Sequence, residues 1–155
     1  MAEEFIRIDG ATRVTAIIEG MRDAIATRPM MLEIGEYIRF RIQARTAEGK
    51  DVGGRLFAPY SPQYRLFREK TGHPVNKVNL FYSGSMMGSM EVAETMKQAR
   101  VYFLNTQGPG SKTRNPEKAY YLNKKREFFA LSAEDVQGIV NIMEKYYQEA
   151  LNRLT

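Results

Sequence analysis

The chain has 155 residues, 43% of them hydrophobic and 26% charged, with a formal net charge of +5 and no cysteine. Such values describe one ordinary soluble domain, 1–155, large enough to bury a core, and they exclude disulfides, thiolate metal sites and a cysteine nucleophile. No apolar run approaches the ~20 residues of a membrane span, and the opening MAEEFIRIDG, with no basic start or long apolar run, predicts no signal peptide.

In chain order, Phe5-Ile6-Arg7-Ile8 alternates and ends at Asp9-Gly10, which predicts a short strand and a turn. Val14, Ile17, Ile18, Met21 and Ile25 mark an amphipathic helix capped by Thr12 or Asp9. Pro29 ends it and suits the first turn of a second helix, which Met31, Ile34, Ile38 and Ile42 continue to about Arg45. Thr46 to Gly54, polar and rich in glycine, reads as an exposed loop. Leu56 to Tyr60 is apolar. Ser61 and Pro62 then start a short helix that stops at Gly72, with Ser61 as its N-cap. Ser83 caps a further short helix containing Met86, Met87 and Met90.

Val92–Lys97 and Arg100–Asn105 read as a hairpin with its turn at Gln98-Ala99, because Val101-Tyr102-Phe103-Leu104 is β-branched and aromatic. Thr106 to Asn115 is a glycine, proline and serine loop, and Pro116 to Leu122 starts a helical turn or two. The last quarter carries the clearest signal. Val136, Ile139, Val140, Met143, Tyr147, Ala150, Leu151 and Leu154 form one apolar stripe of a long helix. Ser132 caps it, with Asp135 completing an acidic capping box. Gly138 interrupts it at a cost of about 1 kcal/mol relative to alanine. The order strand, helices, strands, helix predicts an α+β fold: a small antiparallel sheet packed against the long C-terminal helix, with two N-terminal helices and long loops. Val140 and Met143 are expected inside, between that helix and the sheet.

Chemistry is sparse. Gly53-Gly54 and Gly108-Pro109-Gly110 lack the spacing of a phosphate loop and its following Lys-Ser/Thr. One histidine, His73, lies in a turn, so no histidine-based zinc motif is possible and His73 reads as a solvated turn residue. Ser83-Gly84-Ser85 has no histidine partner nearby. The chain is therefore read as non-enzymatic and without cofactor or metal. Charge is segregated: Gly108–Arg126 holds six Lys and Arg against Glu117 alone, and Glu127–Thr155 holds two against five acids. A basic segment with Tyr120 and Tyr121 also suits a small nucleic-acid-binding module, since cations neutralise phosphates and tyrosines stack on bases.

Three phrases then carry a resemblance. The first is Arg55–Gly72, RLFAPYSPQYRLFREKTG, with Phe57, Pro59, Tyr60, Ser61, Pro62, Lys70 and Gly72. The second is Asn79–Met90, NLFYSGSMMGSM, with Leu80, Ser83, Gly84, Met86 and Ser89. The third holds Arg126, Phe128, Phe129, Leu131 and Ser132, before the terminal helix. In this order they resemble the virion-morphogenesis, or tail-completion, family of Mu-like tailed phages, over most of the chain. The resemblance implies a structural protein of the neck, where head and tail join, located in the virion and, during assembly, in the host cytoplasm. It implies a homo-oligomeric ring, a hexamer by that resemblance, touching other neck, portal-adaptor or tail-tube proteins, with passing contact with genomic DNA and none with membrane.

A ring needs two different complementary faces on each subunit. The basic stretch with Lys112, Arg114, Lys124, Lys125 and Arg126 is the candidate for one and the acidic final helix for the other. Apolar contacts must supply most of the affinity, because exposed ion pairs are individually weak. Phe57, Tyr60, Met86, Met87 and Met90 are nominated for that role.

Overall fold

The computed structural model describes residues 5–8, by their backbone, and 27–154. The helix expected from Val14 to Ile25 lies outside the described residues. Helix α1, Arg28–Ala47, begins where Thr27 offers its hydroxyl oxygen to the Met30 N–H at 3.3 Å. Pro29 sits in the first turn, where its missing N–H leaves no bond unmade. Met31, Ile34, Ile38 and Ile42 are buried along one side, as their spacing predicts.

Strands β1 (Phe5–Ile8), β2 (Met90–Glu94) and β3 (Ala99–Phe103) form a sheet in the order β1-β3-β2. β1 runs antiparallel to β3, from Phe5 opposite Tyr102 to Ile8 opposite Ala99. Ala99, Val101 and Phe103 are buried in alternation, the period of a strand with one covered face. The hairpin starts earlier than the sequence suggests, at Met90. Its turn spans residues 95–98, closed by the Thr95 N–H on the Gln98 carbonyl at 2.8 Å. Met90 is thus a strand residue rather than a helical one.

By contacts the chain divides into two compact units. In the described residues the first holds Ile42–Ser89 and Phe103–Ala130, and the second is built around the sheet, the first part of α1 and residues 131–154. Helix α1 and strand β3 each continue from one unit to the other.

In the second unit the final helix, α5 (Ala133–Leu154), starts with the predicted box. The Asp135 N–H donates to Ser132 Oγ at 3.1 Å, and the Ser132 N–H donates to Asp135 Oδ2 at 2.9 Å. α5 runs antiparallel to α1. Arg41 Nε donates to Asp135 Oδ1 at 2.9 Å, Gly138 lies on the Tyr37 ring, and the Tyr146 hydroxyl donates to Glu33 at 2.8 Å. Burial follows this line. Ile139 and Met143 are buried, while Val140 sits half-buried beside them. Gly138 is there by necessity, because a Cβ would overlap the Tyr37 ring and hydroxyl. Where the sequence suggested only a propensity cost, two helices approach too closely for any side chain. Gly35 does the same for α1 over the sheet, where a Cβ would overlap Val92.

The first unit holds the end of α1 and the short helices α2 (Pro62–Lys70), α3 (Ser85–Gly88) and α4 (Asn115–Lys125). Phe103, Phe128 and Phe129 are buried together, with 4.8 Å between the ring centroids of Phe103 and Phe129. Gly84, at φ 80, precedes α3, and α3 is a single turn. α4 continues three residues past the expected Leu122, so Lys124 and Lys125 lie on a helix. Both polar loops are closed by hydrogen bonds. Lys50 bridges Leu56, and the Arg55 N–H donates to Asp51 Oδ1 at 2.9 Å, which holds the Asp51 carboxyl below its usual range. Gln107 bridges Arg114, and the Asn115 N–H reaches the Thr106 carbonyl at 2.8 Å. Thr46, expected in the first loop, is the buried last turn of α1.

Candidate functional site

A groove of about 890 Å³ opens in the first unit. One wall begins at Ser61, whose hydroxyl accepts from the Tyr64 N–H at 3.3 Å and starts α2. Tyr64 and Arg68, four residues apart on α2, reach the same side and line the groove together with Tyr60, which precedes the cap. Arg68 is only 2% exposed. Its Nε donates to the Pro74 carbonyl at 2.8 Å and both terminal nitrogens donate to the Phe81 carbonyl at 3.1 Å. Its guanidinium lies 4.7 Å from the centroid of Tyr60. A buried cation is satisfied here by carbonyl oxygens and ring faces instead of a carboxylate.

The opposite wall combines Ser83–Met86, the Gly108–Ser111 loop and α4. Asn115, fully buried, ties these pieces together. Its amide donates to the Ser85 carbonyl at 3.2 Å, to Ser85 Oγ at 3.0 Å and to Thr106 Oγ1 at 2.9 Å. Gly108 passes close to α3, and a Cβ there would meet Ser83 Oγ and Ser85 Cβ at 3.1 Å. Leu80, also in the lining, holds a left-handed φ of 56°, the one non-glycine positive φ among the described residues.

The groove's electrostatics are one-sided. Arg68, Lys118, Lys125 and Arg126 line it and no Asp or Glu does. The unit around it has the same bias. Residues 42–89 and 103–130 hold thirteen Lys and Arg against five Asp and Glu, a formal charge of +8. The described residues of the second unit hold eight of each.

An aromatic ladder continues from the groove. Tyr60 meets Tyr64 edge-on at 5.2 Å, Tyr64 stacks on Phe67 at 5.9 Å, Phe67 on Tyr82 at 5.8 Å and His73 on Tyr82 at 4.0 Å. His73 Nδ1 also lies 3.1 Å from Thr71 Oγ1. The turn histidine therefore joins a ring stack instead of standing free in solvent.

The residues nominated from sequence separate into groups. Tyr60, Met86, Lys125 and Arg126 meet at the groove. Arg126 clamps its edge, donating from Nε and Nη2 to the Ala58 carbonyl and from Nη2 to that of Pro59, at 3.1–3.2 Å. Phe57, Met86, Met87 and Met90 are buried inside the chain, so they offer no open apolar face in this conformation. Phe57 and Lys124 border a second hollow of about 440 Å³. Lys124 also lies 4.2 Å over the Tyr120 ring. Lys112 and Arg114 are exposed on the closed loop, where Arg114 donates to the Asn105 carbonyl at 2.9 Å. Exposed apolar surface lies elsewhere in this unit, at Leu56, Leu66, Phe67, Phe81 and Tyr121.

Tyr64, Arg68, Tyr82 and Lys118 were not singled out by sequence. The spacing of Tyr64 and Arg68, one turn apart on a helix that the sequence predicts and just after the nominated Tyr60, is the signal that could have found both. Among the described residues no cluster of His, Cys, Asp and Glu could hold a metal ion, and no helix is long and apolar enough to cross a membrane. Comparison with protein-family models, curated proteins and solved structures gives no match to this chain.

Proposed function

We propose that the chain is a non-catalytic structural subunit of a tailed-phage virion, acting as a ring in the neck for tail completion or head–tail joining. One observation carries this reading. Residues from each of the three phrases that bear the resemblance line one groove, the third phrase through Arg126 alone. Pro59-Tyr60-Ser61 forms one wall, Ser83-Gly84-Ser85-Met86 faces it, and Arg126 clamps the Ala58 and Pro59 carbonyls. Residues shared across a phrase of this kind support a common contact surface, and the exposed Leu66, Phe67 and Phe81 supply apolar area for a neighbour. Charge on the first unit would set register and partner choice between subunits. The ring is taken as a hexamer from the resemblance alone.

The same +8 favours a second reading, a basic nucleic-acid-binding module. Sedimentation and electron microscopy of the purified chain separate the two. Closed rings support the virion reading. A monomer that binds short DNA, with affinity falling steeply in salt, supports the second. A charge-reversed variant should change Lys112, Lys124 and Lys125 to glutamate and leave Arg126 in place, because Arg126 holds the groove together. The expected outcome is a folded monomer that no longer closes into rings.

A further inference from the structure

We propose that the groove of the first unit receives a short, extended acidic segment of a partner polypeptide, with Lys118 and Lys125 as its two anchors. The inference rests on the partner-binding part of the reading above and names what the partner must present.

The chemistry follows from the walls. Four cations line the groove and no carboxylate does. Arg68 and Arg126 are already engaged with backbone carbonyls, so their charge contributes field while their donors are largely occupied. Lys118 and Lys125 have no ion pair among the described residues. They are seven residues apart on α4, two turns along one side, which separates them by roughly 10 Å along the axis. Carboxylates three residues apart on an extended polyproline-II segment, with three residues per turn, lie on one side and about 9 Å apart. Tyr60 adds a donor: its hydroxyl is buried in the wall without a partner. Such a group is costly until an acceptor reaches it.

A nucleic-acid strand would fit less well. Base recognition needs open ring faces, and those of the ladder are in use. Tyr60 has two guanidinium groups over its ring, those of Arg68 and Arg126, at 4.7 and 5.8 Å from the centroid. Tyr64, Phe67, Tyr82 and His73 stack on one another. What remains available is paired ammonium groups, serine hydroxyls and backbone, the partners of carboxylates.

The test uses the full chain and a fluorescent peptide of repeating Glu-Gly-Gly units, read by anisotropy at low and high salt. The expected result is binding that the matching Gln-Gly-Gly peptide lacks and that salt weakens. Lys118→Gln with Lys125→Gln should weaken it roughly tenfold, as two charge contacts, one half-buried and one exposed, allow. Lys70→Gln, on the exposed end of α2 outside the groove, should leave it unchanged. Circular dichroism confirms that each variant is folded. Equal binding of both peptides overturns the proposal, and so does indifference to the double substitution. A thymidine oligonucleotide that displaces the peptide at lower concentration overturns it in favour of nucleic acid. Citrate that does so overturns it in favour of a small anion. Ring closure is scored separately by sedimentation, so loss of the virion reading and loss of this one are told apart.

Discussion

In the second unit ion pairs mostly tie one element to another, whereas in the first they stay within four residues, as Lys50–Glu48, Arg55–Asp51 and Arg65–Glu69, and the long-range partners of its arginines are backbone carbonyls. Arg41 pairs with Glu134 and Asp135, Arg39 with Glu36, Arg28 with Glu94 and Lys145 with Glu33. Most of these join regular elements whose own backbone bonds are already made. The first unit has short helices and long connections, which leave carbonyl oxygens unpaired inside. Arg45 donates to the carbonyls of Phe128 and Ala130, Arg68 to Pro74 and Phe81, Arg126 to Ala58 and Pro59, and Asn123 to Phe129. Long side-chain donors stand in for the missing ladder. The functional consequence is electrostatic. Arg68 and Arg126 bind carbonyls and no carboxylate, so their charge stays uncompensated, whereas that of Arg41 does not.

The largest effect expected from this contrast is at Arg68. Arg68→Met keeps most of the apolar stem and removes every hydrogen bond of the guanidinium, leaving two carbonyls short of donors. It should cost about 3 kcal/mol in denaturant unfolding. Native-state hydrogen exchange should show the loss concentrated in residues 42–89 and 103–130. A loss under 1 kcal/mol would mean that water replaces the clamp and that the unit does not depend on its arginines.

Next comes Gly138. Helix propensity alone makes Gly138→Ala stabilising by about 1 kcal/mol. Contact with Tyr37 makes it destabilising, by about 2 kcal/mol as an overpacked site. The sign of the change in thermal midpoint decides. Adding Tyr37→Ala should recover part of the loss, a coupling that a double-mutant cycle reads directly.

Asp135→Asn ranks third. The carboxylate is fully buried, accepts from Arg41 and closes the box with Ser132. Losing its charge should cost roughly 1.5 kcal/mol, and exchange should report it at the start of α5. A smaller cost than that of a neutral substitution at Glu134 would show that the buried pairing is not what fixes the helix start.

Glu33 gives the smallest effect and a pH signature. The Lys145 ammonium, first, and then the Tyr146 hydroxyl hold its carboxyl below the ordinary 4.5, and burial opposes them. A carboxyl depressed in the folded state stabilises above its unfolded pKa, and that contribution is lost as pH falls through the lower folded value. Glu33→Gln should therefore lower stability slightly at neutral pH and converge with the parent chain in acid. Salt should shrink the difference, because the pair is partly exposed. Curves that stay parallel from neutral pH into acid would remove Glu33 from the acid response.

Sequence by itself determined the parts whose cause is local. The stripe Met31, Ile34, Ile38 and Ile42 is periodic, so α1 is legible. Ser61-Pro62 and Ser132 with Asp135 are caps made within four residues, and both starts fall where they were expected. β3 is legible for the same reason, as a run of β-branched and aromatic residues. The charge imbalance is visible too, but only as a segment. What tertiary structure decided is what depends on partners distant in the chain. Phe57, Met86 and Met87 look like adaptable contact residues until the fold encloses them. Gly138 looks like a defect until Tyr37 is placed against it. Arg68 and Arg126 look like two more surface cations. Only when the chain brings Pro74, Phe81, Ala58 and Pro59 to them do they become the posts of a groove, because a carbonyl left unpaired by an irregular backbone has no signature in the sequence that leaves it so.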